Sequence, residues 1–353
     1  MSSSRRVWLK QSAALGLCVM AGACKRPPTR KDVLEALVRE QVVPDIKALA
    51  PACRALAQAL QQLESAPSAA GLVAARAAFS EALVRFQRAQ TFRSGPLVES
   101  NTFLRAAFWP VRGANLERVI ADSVPLTAAS VEALGVDAKG LFALERLLFD
   151  QVGGGAEDWL CGPDAMRARR FARLLAEDVA SRVDAVVASM GDGGGFARRF
   201  AADGQAGLTR LITQNVETLE SIALDRLQRP LELHAQGRLK PGEVPGDFSG
   251  LSFVMSRVQL EALRAQYVGR DDRGVAALVV QAAPAIAPRV QGLLDGALGA
   301  LEALQKPLRQ TLEHSPAAVK GAFDQVKALE IAYKVELASA LAVTLSLVSG
   351  DGD

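Results

Sequence analysis

The residues able to carry out acid–base or metal chemistry are few in this sequence. Its two histidines are His234, inside a predicted helix, and His314, at a predicted helix end, and neither has a metal-ligand neighbour at helical spacing. The chain contains no HExxH, CxxC or GxSxG motif, and no GxGxxG after a strand. These absences leave little material for a His-based zinc site or a Ser-His-Asp hydrolase, so both histidines are interpreted as structural.

The N-terminus has the order of regions of an export signal. The sequence SRRVWLK at positions 4–10 resembles a twin-arginine signal, and residues 11–23 are uncharged and mostly apolar. Thirteen residues are too few to span a bilayer core of about 30 Å. Small residues at 21–23 precede Cys24 as in a lipobox, which predicts cleavage after residue 23 and lipidation of Cys24. The alternative is ordinary cleavage, which leaves a soluble periplasmic protein.

The cysteines leave the redox state of the mature chain open, whereas its charge excludes one class of partner. Apart from Cys18 and Cys24, the chain has Cys53 and Cys161, which are either two thiols or one disulfide. Removing residues 1–23 takes away three positive charges and no acid, so the formal net charge falls from +3 to zero. A neutral body without a basic block argues against nucleic acid as a partner.

The composition predicts an all-α body. Ala and Leu, two strong helix formers, are the most frequent residues, and no stretch alternates apolar and polar residues as half-buried strands do. Residues 24–30 form a predicted tether. The Gly- and Pro-rich loop Lys240–Gly250 divides the rest into helical halves, 31–240 and 241–353. The predicted helices are Lys31–Glu64 with candidate breaks at Pro44 and Pro51, Ser68–Gln90, Leu116–Asp122, Ala128–Leu134, Ala138–Gln151, Pro163–Met190, Phe196–Gly237, Leu251–Val268, Gly274–Gln305 and Ser315–Leu347, and residues 91–115 are predicted to be irregular.

Four stretches, in this order along the chain, resemble the imelysin family. They are FRSGP at 92–96 leading into FWPVR at 108–112, GLFALERLL at 140–148, PGDFSGLSFVMSRVQLEALRAQY at 245–267 and LAVTLSLVSGDGD at 341–353. The resemblance covers roughly residues 31–353. It implies two helical bundles packed as one imelysin-like unit in the bacterial envelope. Several such proteins belong to iron-regulated or ferrous-iron uptake systems, and some are classed as metallopeptidases.

The family signature GxHxxE corresponds here to Gly140, Phe142 and Glu145. In the family, His and Glu lie one helical turn apart and can share a metal. The histidine is Phe142 in this chain, which removes the nitrogen ligand and leaves Glu145 as a candidate ligand for Fe or Zn. Gly140 is expected to allow close packing rather than chemistry.

Glu145 is also a candidate for lining a ligand-binding cleft. A buried carboxylate must be neutralised or paired, so Arg93 or Arg112 is an expected partner. Ser249 is a further candidate cleft residue, although Ser249 and Ser252 flank a predicted helix start and are first interpreted as caps. The alternative for Glu145 is a structural ion pair or an exposed position on an amphipathic helix.

Two other features receive structural interpretations. Trp109-Pro110 is a candidate corner that seals the end of a bundle, or else part of the same cleft. Asp351 and Asp353 at the terminus are weak evidence for a cation site, because no further ligands accompany them.

The leading hypothesis is a lipid-anchored, periplasm-facing, non-enzymatic protein associated with metal (iron) acquisition. Its expected partners are the membrane, through the lipid on Cys24, and an envelope metal-transport system. No cofactor is assigned. The alternatives are an imelysin-type metallopeptidase and an interaction scaffold that has kept the fold and lost the site.

Overall fold

The computed structural model of the chain describes residues 26–150, 160–162 and 165–345, and every regular element in these ranges is helical. The predicted all-α class is therefore confirmed. The α-helices are α1 Arg30–Leu37, α2 Val43–Ser65, α3 Ala69–Ala89, α4 Pro96–Glu99, α5 Thr102–Ala107, α6 Gly113–Ala121, α7 Ala128–Glu132, α8 Leu141–Phe149, α9 Met166–Met190, α10 Gly194–Ala201, α11 Gly204–Glu220, α12 Arg229–Ala235, α13 Ser252–Val268, α14 Val275–Ala282, α15 Ile286–Glu302, α16 Leu308–His314, α17 Pro316–Ile331 and α18 Ala338–Ala340. Three π-helical segments continue helices at Val38–Val42, Ser221–Gln228 and Ala332–Leu337.

The first group of packed helices consists of α2, α3, α8 and α9. α3 begins after Ser68, whose hydroxyl accepts a hydrogen bond from the backbone N–H of Gly71 at 3.1 Å and so caps the helix. The buried residues of α3 recur at helical spacing, so the sequence alone assigns them to one apolar face. Its members are Ala75, Phe79, Ala82, Leu83 and Phe86. Phe79 packs against Phe149 of α8 with ring centroids 5.4 Å apart.

The second group consists of α13, α15, α17 and the π-helical segment Ser221–Gln228. Leucine and valine side chains from these helices form its buried interior. Among them are Leu227, Leu260, Leu263, Leu294, Val326 and Leu329. The hydroxyl of Tyr267 donates a hydrogen bond to the Ala287 carbonyl at 3.0 Å, which ties α13 to the start of α15.

The two groups meet where α3 packs against α13, beside the π-helical segment Ser221–Gln228. α11 precedes the loop at 240–250 in the chain, yet it packs against both α1 and α17. Packing therefore does not follow chain order, and the boundary between residues 240 and 241 stays a prediction.

The prolines of the first long helix do not interrupt it. The chain is helical from Arg30 to Ser65, with the π-helical segment Val38–Val42 directly before Pro44. Pro44 has no N–H to donate to the carbonyl four residues earlier, and the helix widens there instead of ending. Pro51 lies inside α2. The candidate breaks at Pro44 and Pro51 were therefore wrong.

Two predicted long helices are each divided. The predicted helix 196–237 is interrupted after α10, because the carboxylate of Asp203 accepts from the N–H of Ala206 at 3.0 Å and starts α11 as a new helix. The predicted helix 274–305 is interrupted between α14 and α15. There Ala283 has φ −154° and ψ 78°, outside the helical region that the residue before a proline avoids.

None of the helices in the described ranges combines the length and apolarity needed to cross a membrane. Cys53 is a free, buried thiol, and burial raises its pKa to about 12.

Residues 91–115 were predicted to be irregular, but they contain α4, α5 and the start of α6. In the same segment, the ring of Trp109 is partly buried, and the Arg229 guanidinium lies 5.6 Å from the ring centre.

Candidate binding site around Glu145

The start of α8 requires a glycine. Gly140 has φ +82°, in the left-handed region, and stands directly before Leu141. A Cβ at Gly140 would lie 2.5 Å from the carbonyl oxygen of Ala106 and 2.9 Å from that of Arg105. Only glycine combines this φ with such a close approach between α8 and the end of α5. The prediction that Gly140 serves close packing is confirmed.

Glu145 lies one turn into α8 and is 3% exposed. Its Oε1 accepts two hydrogen bonds from Ser249, one from the backbone N–H at 3.0 Å and one from Oγ at 2.6 Å. Because the two residues are 104 positions apart, this contact ties α8 to the loop that precedes α13.

The loop that carries Ser249 is held by a second carboxylate. Asp247 forms an ion pair with Arg309 of α16, with Nε–Oδ1 at 3.0 Å and Nη2–Oδ2 at 2.8 Å. The backbone N–H of Gly242 also donates to Asp247, at 2.9 Å. The loop therefore reaches Glu145 in a fixed conformation rather than as a free segment.

Neither serine of this segment caps α13. The hydroxyl of Ser252 donates to the Pro245 carbonyl at 2.8 Å, and the hydroxyl of Ser249 donates to Glu145. The residue before the helix is Leu251, which makes no side-chain capping bond. The interpretation of Ser249 and Ser252 as caps was wrong, because both hydroxyls fold the loop instead.

Burial raises the pKa of Glu145 to about 7, and the nearby charge of Asp247 also raises it. The hydrogen bonds from Ser249 act in the opposite direction, since they favour the ionised carboxylate. Burial is the largest cause. Near neutral pH, Glu145 is therefore present in both its protonated and its ionised form.

The neighbours of Glu145 on α8 are aromatic and cationic. Phe142 is buried one turn earlier, on the same face as Glu145, and its ring offers no lone pair. The guanidinium of Arg146 lies 3.2 Å from Asp150 and 5.5 Å from the ring centre of Phe248. Arg146 thus packs on the loop without pairing with Glu145.

The predicted ion pair of Glu145 with Arg93 or Arg112 is not formed. The Arg93 side chain is 40% exposed and contacts Glu217, with Nη2 and Oε2 2.5 Å apart. The Arg112 side chain is 77% exposed and lies 3.4 Å from Asp137. The prediction was wrong because each arginine pairs with a different acid, Arg93 with Glu217 and Arg112 with Asp137. Of the predicted site residues, only Glu145 and Ser249 come together.

The donor set at Glu145 does not fit a resident Fe or Zn ion. Both contacts of its Oε1 are with donors from Ser249, and Phe142 stands where a nitrogen ligand would be needed. In the described part of the chain, no group of three or more His, Cys, Asp and Glu side chains could hold a metal. Nδ1 of His314, an exposed residue, lies 2.8 Å from the Gln310 carbonyl.

Sequence reasoning missed the residues that support this site, Asp247 and Arg309. The sequence offered one signal for Asp247, because it is an acid two residues before Ser249 in a glycine-rich loop. Its partner could not be identified, because Arg309 is 62 residues away on another helix. Cys24, Asp351 and Asp353 lie outside the described residues.

Comparisons with known proteins agree with this fold. The chain is similar to the "Iron-regulated protein A" of Synechococcus elongatus, with 26% identity over 324 residues, 84% of this chain and 83% of the relative. Two crystal structures have the same fold. An iron-regulated protein A precursor from Parabacteroides distasonis matches with TM-score 0.75 and 14% identity, over 90% of this chain and 97% of the other. An imelysin-like protein from Psychrobacter arcticum matches with TM-score 0.68 and 18% identity, over 90% and 96%.

The family assignment rests on the sequence. The model of the family described as Imelysin, which carries a peptidase name, matches residues 42–332, well over half of the chain. The order of motifs, the helical fold and the position of Glu145 on α8 are consistent with that match. This chain therefore belongs to the imelysin family.

Proposed function

We propose that the protein is a lipid-anchored, non-enzymatic imelysin-family protein of the bacterial envelope that works beside an iron-acquisition system. The iron association is supported by the name of its Synechococcus relative, and the anchor by the lipobox before Cys24. The observation that carries the non-enzymatic part is the contact between Glu145 and Ser249, with Phe142 in the position of the motif histidine.

A carboxylate in this setting is suited to structure rather than to hydrolysis. A metallopeptidase needs a metal with an open position to activate water, and such sites use three protein ligands. Glu145 is engaged by the loop that carries Ser249, and the nearest cation on its own helix, Arg146, lies against Asp150. In this proposal Glu145 holds the loop against α8, and iron is transported by the partner acquisition system and does not bind at Glu145.

Metal titration tests the loss of the motif histidine. We expect Fe²⁺ and Zn²⁺ to bind the mature protein weakly or not at all, and Phe142→His to strengthen Zn²⁺ binding at least about tenfold, because imidazole is a good zinc ligand one turn from a carboxylate. Phe142→Leu is the matched control for altered packing. Tight binding by the wild type that Glu145→Ala abolishes would contradict the proposal.

The metallopeptidase is the second candidate, and the peptidase name of the family model favours it. Purified mature protein, with and without added Zn²⁺, should not cleave a mixed peptide substrate above the rate of Glu145→Ala. Cleavage that requires Glu145 would establish the enzyme. If neither activity nor an iron phenotype appears in a deletion strain, the interaction scaffold is the remaining alternative.

The anchor is tested at the mature N-terminus. Mass spectrometry is expected to show an acylated Cys24 as the first residue, and Cys24→Ala should release the protein from membranes. Replacing Arg5-Arg6 by Lys-Lys should leave the precursor unexported, because the twin arginines are recognised by a receptor. A mature protein that starts elsewhere, or a free Cys24, would contradict the anchor.

A further inference from the structure

A buried arginine lies where the two helix groups meet. Arg226, in the π-helical segment Ser221–Gln228, is 6% exposed. Its Nη2 donates to Oε1 of Gln87 on α3 at 3.3 Å, which is a long hydrogen bond. Its Nε and Nη1 have no hydrogen-bond partner in the described part of the chain. Two of the three guanidinium nitrogens are therefore buried with unused donors.

The charge of Arg226 is also uncompensated within the described residues. No described carboxylate lies within ion-pair distance, and the only nearby acid, Asp225, is exposed and accepts a hydrogen bond from Ser221. Burial lowers the pKa of Arg226 to about 10, so its guanidinium is still charged at neutral pH. A buried cation without a counter-charge is strongly unfavourable, so a proteinaceous or external anion is needed.

Unused acceptors accompany the unused donors. Gln259 of α13 donates from Nε2 to the same Gln87 oxygen at 3.0 Å, and its own Oε1 has no partner. Because the Arg226 guanidinium can only donate, the Gln87 oxygen faces it, and exchanging O and N of the Gln259 amide would place two carbonyl oxygens together. Two turns further along the same face of α13, Gln266 donates to Thr91 at 3.2 Å, and its Oε1 is likewise without a partner among the described residues.

These residues form a polar seam, defined here as Gln87, Thr91, Arg226, Gln259 and Gln266. All five are buried: Gln87 lies in α3, Thr91 lies just after the end of α3, Gln259 and Gln266 lie in α13, and Arg226 lies in the π-helical segment. π-helical segments within α-helices are frequent at functional sites. The seam shares no residue with the Glu145–Ser249 contact, and no hydrogen bond among the described residues joins the two.

We propose that the polar seam binds a small hydroxycarboxylate between the two helix groups. Its carboxylate would accept from Nε and Nη1 of Arg226 and supply the missing negative charge. Its hydroxyl would donate to Oε1 of Gln259. A simple inorganic anion would satisfy Arg226 but leave the glutamine oxygen without a donor, whereas a neutral alcohol would leave the charge uncompensated.

The test compares glycolate, acetate and chloride as probes, at constant ionic strength, with the mature protein. Thermal unfolding should show a saturable rise of Tm with glycolate and a smaller rise with acetate or chloride, which supply the negative charge without the hydroxyl. Arg226→Met should weaken the glycolate affinity by at least about tenfold. Arg238→Met, an exposed arginine outside the seam, is the matched control and should respond as the wild type does.

A second variant keeps the test decisive if Arg226→Met fails to fold. Gln259→Leu removes the oxygen that would accept from the ligand's hydroxyl and leaves Arg226 in place, so it should lower the response to glycolate to the level of the response to acetate. Equal effects of the three anions, equal responses in wild type and Arg226→Met, or no response at all would overturn the proposal. The last result would mean that water alone fills the seam.

Discussion

Glu145 and Arg226 are both charged side chains buried near the junction of the two helix groups, and they differ in how their charge is accommodated. Glu145 accepts two hydrogen bonds from Ser249, and its pKa is about 7, so it can also become neutral by binding a proton. Arg226 has one long hydrogen bond and keeps its charge at neutral pH. A buried carboxyl group can thus be neutralised by pH, whereas a buried guanidinium requires a counter-ion.

The largest expected effect concerns the glycine that lets α8 hold Glu145 in place. Gly140→Ala combines a left-handed φ with a Cβ 2.5 Å from a carbonyl oxygen, so we expect a loss of roughly 3 kcal/mol or more in the free energy of unfolding. Gly237→Ala is the control, because φ is +63° there, at the end of α12, but the Cβ meets nothing within 4 Å. We expect about 1 kcal/mol for it. Similar losses by urea unfolding would show that the contact with Ala106 is not restrictive.

The pH dependence of stability tests the proton on Glu145. Below pH 4.5 the group is protonated in both folded and unfolded chains, and between 4.5 and 7 the unfolded chain loses a proton that the folded chain retains. Its contribution to stability therefore falls as pH rises, by roughly 3 kcal/mol in total, and levels off above pH 7. Glu145→Gln should remove this decline.

The measurement is urea unfolding at pH 5 and pH 8 for wild type, Glu145→Gln and Glu217→Gln. Glu217 lies on the surface beside Arg93, so its substitution removes a charge without altering the loop. Glu217→Gln should therefore show the same difference in the free energy of unfolding between pH 5 and pH 8 as the wild type. If Glu145→Gln keeps that difference too, Glu145 is not the group that titrates, and the contrast with Arg226 fails.

A smaller effect is expected at the partner of Glu145. Ser249→Ala removes the hydroxyl donor but leaves the backbone N–H, which should cost about 1–2 kcal/mol at pH 8, where the carboxylate is ionised. The cost should be less at pH 5, since a protonated carboxyl accepts a weaker hydrogen bond. Ser249→Thr keeps a hydroxyl and should restore most of the loss. An equal cost at both pH values would indicate lost packing rather than a lost charge-assisted bond.

Local features of this protein could be predicted because they depend on neighbours along the chain. The face Ala75, Phe79, Ala82, Leu83 and Phe86 follows from the 3.6-residue period alone, and all of it is buried. The requirement for glycine at Gly140 was also inferred from its place before the motif. The divisions of two long predicted helices were missed, because a capping Asp or one proline competes with a strong helical pattern only locally.

What the tertiary structure decided is which buried charge meets which partner. Glu145 contacts Ser249 across 104 residues, and Arg226 contacts Gln87 across 139, and neither pairing is visible in a local pattern. The sequence by itself determined the all-α class, the apolar face of α3 and the loss of the motif histidine. Only the packing of α3, α8 and α13 determined that Arg93 and Arg112 stay outside while Arg226 lies inside without an acid. Helical periodicity is set by backbone geometry, whereas pairing between helices depends on which faces meet in space.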